Sequence, residues 1–170
     1  EAGLAGISIE DIDLPGDGAY DRAHAIERIR AAAAAARALP RDFVLVARAD
    51  GVMTGRYGME EALARIASFA AAGADCVYVP MPPAAEDLAR IAASVKVPVN
   101  ALAAGPFARL GRADFARMGI ARISLGSALA RLTHRAIRDA ARSILDEGSF
   151  LPLAGGMPGA EVDEMLSRFD

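Results

Sequence analysis

The chain has 170 residues, enough for one domain with a hydrophobic core, and 54% of them are apolar, which argues against disorder. A net charge of -3, with the arginines dispersed along the chain, gives no electrostatic basis for nucleic-acid binding. The single cysteine, Cys76, excludes an intramolecular disulfide and a multi-cysteine zinc site. We find no apolar stretch as long as a membrane span and no signal-peptide pattern, so we expect a cytoplasmic protein.

In chain order, short apolar runs alternate with longer stretches of helical period, which predicts βα units and a parallel sheet. Strands are expected at 6–9, 43–47, 76–79, 97–101 and 122–125. Helices are expected at 21–39, 59–72, 84–94, 112–118, 126–147 and 160–169. Asp21 is a suitable N-cap for the first helix, and Pro40 ends it.

Five βα units without a hairpin signal fit two architectures. One is a (β/α)8 barrel, which typically needs about 250 residues, so this chain would form only a portion of it. The alternative is a five-stranded, doubly wound parallel sheet of matching length. Since no linker or composition change divides the sequence, we expect residues 1–170 to form a single domain.

Polar residues follow three of the predicted strands: Glu10, Arg48 and Asn100. The carboxyl ends of parallel strands meet at one edge of the sheet, where ligands bind. A carboxylate, a guanidinium and a carboxamide at that edge suit a small, metal-assisted carboxylate substrate. An arginine that ends a buried strand needs a partner, and the alternative to a substrate carboxylate is an ion pair with Asp50 or Glu10. The alternative for Asn100 is the satisfaction of loop backbone groups.

Two further groups complete the candidate site. Asp11 abuts Glu10 and is a second candidate metal ligand. Ser124 is a candidate substrate-binding residue, because residues 124–127 end the last strand and open a helix, where barrels often bind phosphate. The alternative for Ser127 is an N-cap role.

Five motifs together resemble the isocitrate lyase / phosphoenolpyruvate mutase superfamily, and in particular its short bacterial phosphonomutase-like members. They are GISIED, VARAD, AGADCVYVP, VPVNAL and MGIARISLGSAL, in the expected order and spacing. The resemblance implies strands four to eight of a (β/α)8 barrel. It also implies a lyase or mutase dependent on Mg2+ (or Mn2+) that makes or breaks a C–C or P–C bond beside a carboxylate, through an enolate-like intermediate.

The resemblance also implies roles for individual residues. Glu10 matches a carboxylate that helps to hold the metal, Arg48 matches the arginine that binds the substrate carboxylate or phosphonate, and Asn100 matches a residue that contacts a second carboxylate. Two positions depart from the lyases: Pro80 stands where they carry a glutamate, and Ala49 replaces a threonine. The acidic metal motif and the loop with the catalytic cysteine do not occur, so the rest of the metal site is expected before residue 1.

Two other functions stay open at this point. One is a phosphosugar enzyme with its phosphate site at 124–127, and the other is a catalytically inactive barrel protein. A homo-oligomer, a dimer or tetramer, is expected because the predicted helix at 160–170 carries an apolar stripe. The resemblance adds that such terminal helices are often exchanged between neighbouring barrels. Neither a nucleic-acid nor a membrane partner is expected.

Overall fold

The computed structural model describes residues 3–13, 16 and 18–168. It divides into two compact units, Glu1–Gly126 and Ser127–Asp170. The first unit carries the sheet and the second carries the C-terminal helices, and each is described by itself. The single domain expected for residues 1–170 stays a prediction.

In its described residues the first unit alternates strands with helices throughout. The strands are β1 (Gly6–Glu10), β2 (Val44–Arg48), β3 (Cys76–Tyr78), β4 (Val99–Leu102) and β5 (Arg122–Ser124). The helices are α1 (Arg22–Arg37), α2 (Met59–Ala71), α3 (Ala85–Ala93) and α4 (Arg112–Arg117). Asp21 is the N-cap of α1, as predicted, and its carboxylate accepts a hydrogen bond from the Ala23 backbone N–H at 2.9 Å. β4 begins two residues later than predicted, after Pro98, whose nitrogen has no hydrogen to donate to a ladder.

The five strands form one parallel sheet in the order β1-β2-β3-β4-β5. A doubly wound sheet would reverse its strand order at a switch point, so that alternative is wrong. Strands added one after another in the same direction are the arrangement of a barrel wall. The expected portion of a (β/α)8 barrel is therefore confirmed as an open, five-stranded part of that wall.

The two faces of the sheet have different surroundings because side chains alternate along each strand. Leu45 and Ala47 of β2 point into the main core, where helix residues such as Ile29, Ile66 and Phe69 pack against the sheet. The intervening residue Val46 points to the opposite face, with Cys76 and Tyr78 of β3. In a closed barrel this second face is the interior. It carries the polar residues described below.

The second unit contains α5 (Ala128–Glu147) and α6 (Gly159–Ser167). Gly148 ends α5 in the left-handed conformation, with a φ of 64°, as its predicted role as a helix stop requires. The predicted terminal helix is confirmed as α6, although Phe169, which we assigned to its apolar stripe, lies outside the described residues. Within the described part of the chain, no helix is both long and apolar enough to cross a membrane.

Candidate active site

One row of polar side chains crosses the whole sheet on the face opposite the helices. Its members are aligned pairwise in the strand register: Glu10, Arg48, Tyr78, Asn100 and Arg122. Glu10, Arg48 and Tyr78 are the last residues of their strands, whereas Asn100 lies inside β4 and Arg122 begins β5. We expected Glu10, Arg48 and Asn100 at the carboxyl edge of the sheet; Glu10 and Arg48 end their strands there, and Asn100 belongs to the same row but lies two residues before the end of β4. The row also includes two residues that we did not predict.

An open cavity of about 680 Å³ lies against this row. Pro80, Leu102 and Ser124 contribute to its wall beside the polar residues. Among the described residues that line it, the two charged ones are Arg48 and Arg122. A cavity whose charged lining is entirely cationic favours an anionic ligand.

Arg48 is held by two carboxylates. Its Nη1 lies 2.7 Å from Oε1 of Glu10, and its Nη2 lies 2.8 Å from Oδ1 of Asp50. Its guanidinium also lies 5.2 Å from the centre of the Tyr78 ring, within cation–π range. Both ion pairs that we considered as alternatives to a substrate contact are therefore present, while Arg48 still lines the cavity.

Asp50 has the most perturbed carboxylate of the site. It is fully buried, and its Oδ2 has no hydrogen-bond partner among the described residues. Burial raises the pKa of Asp50 from 3.8 to about 6, and the hydrogen bond and charge of Arg48 only partly offset this effect. The Asp50 carboxyl can therefore hold a proton close to neutral pH.

The Asp11 carboxylate contacts the loop that carries Asp50 and is held there by protein donors. Its Oδ1 accepts the Asp50 backbone N–H at 2.8 Å, while its Oδ2 accepts the Tyr57 hydroxyl at 2.5 Å and lies 3.0 Å from Nη1 of Arg65. The guanidinium of Arg65 also stacks on the Tyr57 ring, 4.7 Å from its centre. Both oxygens of Asp11 are thus occupied by protein donors. Its predicted metal role stays a prediction, whereas its observed contacts position the backbone that carries Asp50.

The loop after β2 packs closely around this carboxylate. A Cβ built on Gly51 would lie 2.0 Å from the Tyr57 ring, so a side chain at that position would displace the ring. Burial and the hydrogen bond to Asp11 raise the pKa of Tyr57 above its ordinary value. Tyr57 consequently stays protonated and keeps its hydroxyl hydrogen on Asp11.

The described residues do not make a magnesium site by themselves. They contain no group of three His, Cys, Asp or Glu side chains arranged to hold a metal ion. One Glu10 oxygen is paired with Arg48, and both Asp11 oxygens are occupied. Mg2+ requires a near-ideal octahedron of oxygen ligands. The donor set of the described residues falls short of this requirement.

At the β4–β5 end of the row, two neutral side chains and one arginine are joined by hydrogen bonds. Asn100 is buried, and its Nδ2 donates to Oγ of Ser124 at 3.0 Å. Its Oδ1 accepts a hydrogen bond from Nη1 of Arg122 at 2.9 Å. Asn100 therefore holds Ser124 and Arg122 in place with opposite ends of its amide.

Tyr78 and Arg122 are the site residues that our sequence analysis missed. Period-two alternation could have found them, because Tyr78 lies two positions before Pro80 and Arg122 two positions before Ser124. Both therefore share a strand face with positions already singled out. Ser124 and Gly126 belong to the first unit and Ser127 to the second, and the phosphate site predicted at 124–127 stays a prediction.

An open barrel wall with a row of polar residues around a cationic cavity is typical of α/β barrel enzymes that bind small anions at one end of the sheet. Residues 1–145 match the family model described as phosphoenolpyruvate phosphomutase, and the chain belongs to that family. The resemblance to the isocitrate lyase / phosphoenolpyruvate mutase superfamily is thereby confirmed.

Comparisons with individual proteins and solved structures give similar chains. A crystal structure of a Burkholderia cenocepacia J2315 protein assigned as a lyase/mutase has 34% identity and a TM-score of 0.92, covering 97% of this chain and 60% of that one. Phosphonopyruvate hydrolase, in a complex with oxalate and Mg2+, has 26% identity and a TM-score of 0.79, covering 98% and 60%. An uncharacterized protein of Mycobacterium tuberculosis H37Rv is 35% identical over 99 residues, 58% of this chain and 36% of the relative. The chain thus spans between 36% and 60% of the lengths of these proteins.

Proposed function

We propose that this protein acts as a lyase or phosphonomutase-like enzyme on a small oxo- or hydroxy-carboxylate bound in the cavity. The observation that carries the proposal is the cationic lining of this cavity by Arg48 and Arg122. Membership of the phosphoenolpyruvate phosphomutase family supports the class of chemistry. The binding of oxalate named for phosphonopyruvate hydrolase supports a small carboxylate as the ligand.

Arg48 is suited to receive the carboxylate despite its two ion pairs. A guanidinium has five N–H donors, and the contacts with Glu10 and Asp50 use only part of them. Glu10 and Asp50 fix the orientation of the planar guanidinium, so little side-chain entropy is lost when a substrate binds. Hydrogen-bond donors fixed in advance in this way also stabilise negative charge that develops on an enolate-like intermediate.

We further propose Mg2+ (or Mn2+) as the cofactor, with Glu10 as this chain's contribution to its binding. The Mg2+ named for phosphonopyruvate hydrolase supports this choice. The remaining ligands would come from outside the described residues, because those residues do not complete a site. Asp11 stays a predicted second ligand, and its contact with the Asp50 backbone N–H positions that residue.

The substrate is proposed to differ from that of the isocitrate-type lyases. Pro80, which stands where the resemblance places their glutamate, lines the cavity and offers neither a charge nor an N–H. Ala49 is fully buried in the core on the helix side of the sheet, so the cavity gains no hydroxyl from it. Besides the two arginines, the described polar residues that line the cavity are Ser8, Tyr78, Asn100 and Ser124.

The test is a turnover screen followed by ¹H and ³¹P NMR. The protein, in a form that also contains the segment proposed to supply the remaining metal ligands, is incubated, with Mg2+ and separately with Mn2+, with phosphonopyruvate and with a panel of 2-oxo and 2-hydroxy dicarboxylates. We expect cleavage or rearrangement of at least one compound, with inhibition by oxalate. Absence of conversion across the panel, together with no measurable oxalate binding, would contradict the proposed function. Homo-oligomerisation and a cytoplasmic location stay predictions.

A further inference from the structure

Arg65 is a charged residue in the core whose contacts lie outside the cavity. It shares the buried face of α2 with Ile66 and Phe69. Its Nη1 lies 3.0 Å from Oδ2 of Asp11, and its Nε lies 2.8 Å from Oε1 of Glu61. Arg65 is not among the described residues that line the cavity.

Stability alone is a weak reason for a buried pair such as Arg65 and Asp11. Removing the two charges from water costs about as much as their attraction returns, and apolar residues of similar volume often stabilise a core as well or better. What a buried, hydrogen-bonded pair does provide is a fixed position for the atoms that it joins. The atoms that Arg65 fixes are those of the Asp11 carboxylate.

Asp11 passes this constraint to the backbone of Asp50. Its Oδ1 accepts the Asp50 N–H at 2.8 Å, while the Asp50 carbonyl accepts the N–H and the hydroxyl of Thr54, both at 3.1 Å. The Asp50 carboxylate is less well supported, because Oδ1 bonds to Arg48 and Oδ2 has no hydrogen-bond partner among the described residues. The position of this carboxylate therefore depends on the backbone that Asp11 and Thr54 hold.

Tyr57 joins the same loop to both members of the buried pair. Its backbone N–H donates to the Gly51 carbonyl at 3.3 Å, and its hydroxyl donates to Oδ2 of Asp11 at 2.5 Å. The guanidinium of Arg65 lies over its ring, 4.7 Å from the centre. Because a Cβ on Gly51 would lie 2.0 Å from the ring, the ring packs directly against the loop backbone. Tyr57 thus connects α2, Asp11 and the loop that carries Asp50.

We infer that Arg65 and Tyr57 are positioning residues for the guanidinium of Arg48. They hold Asp11, Asp11 holds the backbone of Asp50, and Asp50 accepts from Nη2 of Arg48 at 2.8 Å. The inference rests on the proposed function in taking Arg48 as the residue that binds the substrate carboxylate. It adds that this binding depends on two residues that do not line the described cavity.

The first measurement is the rotation of the Arg48 guanidinium about its Nε–Cζ bond, by NMR of the 170-residue chain labelled with ¹⁵N-arginine. Loss of signals in Arg48→Lys identifies those of Arg48. In the wild type the two terminal nitrogens should give separate signals, because a different carboxylate holds each of them.

Two mild variants test the positioning residues. Arg65→Lys keeps the charge but replaces a planar set of donors with a single nitrogen, and Tyr57→Phe keeps the ring but removes the hydroxyl. In each variant the guanidinium of Arg48 should rotate roughly two- to tenfold faster, because one net hydrogen bond contributes about that factor. Melting temperatures show which variants fold, and Tyr57→Phe decides alone if Arg65→Lys does not fold.

The matched control is Arg37→Lys. Arg37 pairs with Asp75, whose Oδ2 accepts the backbone N–H of Leu45 at 2.8 Å, so the same kind of contact is made near the other end of β2. Phe115→Leu, a change in the core at α4, controls for a loss of stability alone. Neither control should change the rotation of Arg48. Unchanged rotation in the folded test variants would overturn the inference, and so would an equal change in either control.

The second measurement is the affinity for oxalate in the presence of Mg2+, in the longer form of the protein used for turnover. Arg65→Lys and Tyr57→Phe should each bind oxalate roughly two- to tenfold more weakly than the wild type, with both controls unchanged. Wild-type affinity in variants whose Arg48 rotates faster would overturn the dependence of binding on these residues. Failure of the wild type to bind oxalate would count against the proposed function, while the rotation of Arg48 would still decide whether Arg65 and Tyr57 position it.

Discussion

Glu10 and Arg48, the last residues of two neighbouring parallel strands, are register partners and form an ion pair of 2.7 Å. The residue expected to help hold a metal and the residue expected to hold the substrate therefore satisfy each other in the free chain. Asp50 completes the arrangement from the following loop, at 2.8 Å from the same guanidinium. A ligand that binds the Arg48 guanidinium must share it with the two carboxylates or displace one of them. The effects of substitutions at Glu10, Arg48 and Asp50 should therefore be coupled.

Asp50 should make stability depend on pH. Its folded-state pKa of about 6 lies above the ordinary 3.8, so between these values the folded chain holds a proton that the unfolded chain has released. The contribution of Asp50 to the free energy of unfolding is fully present below about pH 4 and is lost as the pH rises through 6. The asparagine side chain of Asp50→Asn cannot titrate. Between pH 4 and 7 the free energy of unfolding of the wild type should therefore fall by up to about 3 kcal/mol relative to that of the variant. Urea unfolding of both proteins at pH 4, 5, 6 and 7 measures this difference, and a constant difference would contradict the prediction.

Tyr57 should contribute to stability through its hydroxyl. In Tyr57→Phe the buried Asp11 loses a donor at 2.5 Å, and we expect a cost of about 1–3 kcal/mol in the free energy of unfolding. The matched control is Tyr20→Phe, whose hydroxyl donates to the exposed Asp13 at 3.3 Å. That change should cost less than about 0.5 kcal/mol. Equal costs in the two variants, measured by urea unfolding, would show that Asp11 does not depend on Tyr57.

Magnesium should bind weakly or not at all to this chain alone. The available carboxylates are already engaged, Glu10 by Arg48 and Asp11 by three protein donors. Calorimetric titration with Mg2+ should therefore give little heat, and Glu10→Gln should give the same trace. Tight, stoichiometric binding that Glu10→Gln abolishes would mean that the ion displaces Arg48 and that these residues do form a metal site.

The architecture was predictable from sequence because its signals are local. Alternating strand-length and helix-length periodicities gave the five βα units, and the end of each apolar run placed Glu10 and Arg48. Asn100 was found for the same reason, although its strand continues to Leu102. The order of strands in the sheet depends on which segments meet in space, so local periodicity alone did not separate the barrel from the doubly wound sheet, and the family resemblance is what favoured the barrel.

The contacts within the site were less predictable because they join distant parts of the chain. Asp11 contacts Tyr57 and Arg65, 46 and 54 positions away, and no local pattern marks such partners. Arg65 lies on the buried face of α2, where a charged residue is expected only if it is paired. The role of Arg122 depends on Asn100, 22 positions earlier, and follows only from the strand register.

The C-terminal helix α6 should contribute to self-association. Val162, Met165 and Leu166 form a stripe at helical spacing, and all three are exposed in the described part of the chain. We expect an oligomeric mass in light scattering and a smaller mass after removal of the residues that follow Gly159. Replacing the exposed Glu161 with Gln is the control and should leave the mass unchanged. An oligomer that survives the deletion would place the interface elsewhere, and a monomeric full chain would contradict the prediction.

Arg48→Lys distinguishes a substrate-binding arginine from a purely structural one. Lysine keeps the charge, so it can still pair with Glu10 or Asp50, but it lacks the planar set of donors that binds a carboxylate in two places. If Arg48 binds substrate, kcat/KM in the active protein should fall roughly 30- to 1000-fold, which corresponds to about 2–4 kcal/mol of lost transition-state stabilisation. The melting temperature should fall by only a few degrees, because the charge of the side chain is kept.

The control is Arg37→Lys, because Arg37 forms an ion pair with Asp75 and does not line the cavity. It should leave turnover per folded molecule unchanged. Melting temperature and turnover are measured on the same preparation of each variant, so that loss of folded protein is separated from loss of chemistry. An Arg48→Lys protein that is clearly destabilised but retains normal turnover per folded molecule would restrict Arg48 to its ion pairs with Glu10 and Asp50. The substrate carboxylate would then have to be held by the β5 side of the cavity alone.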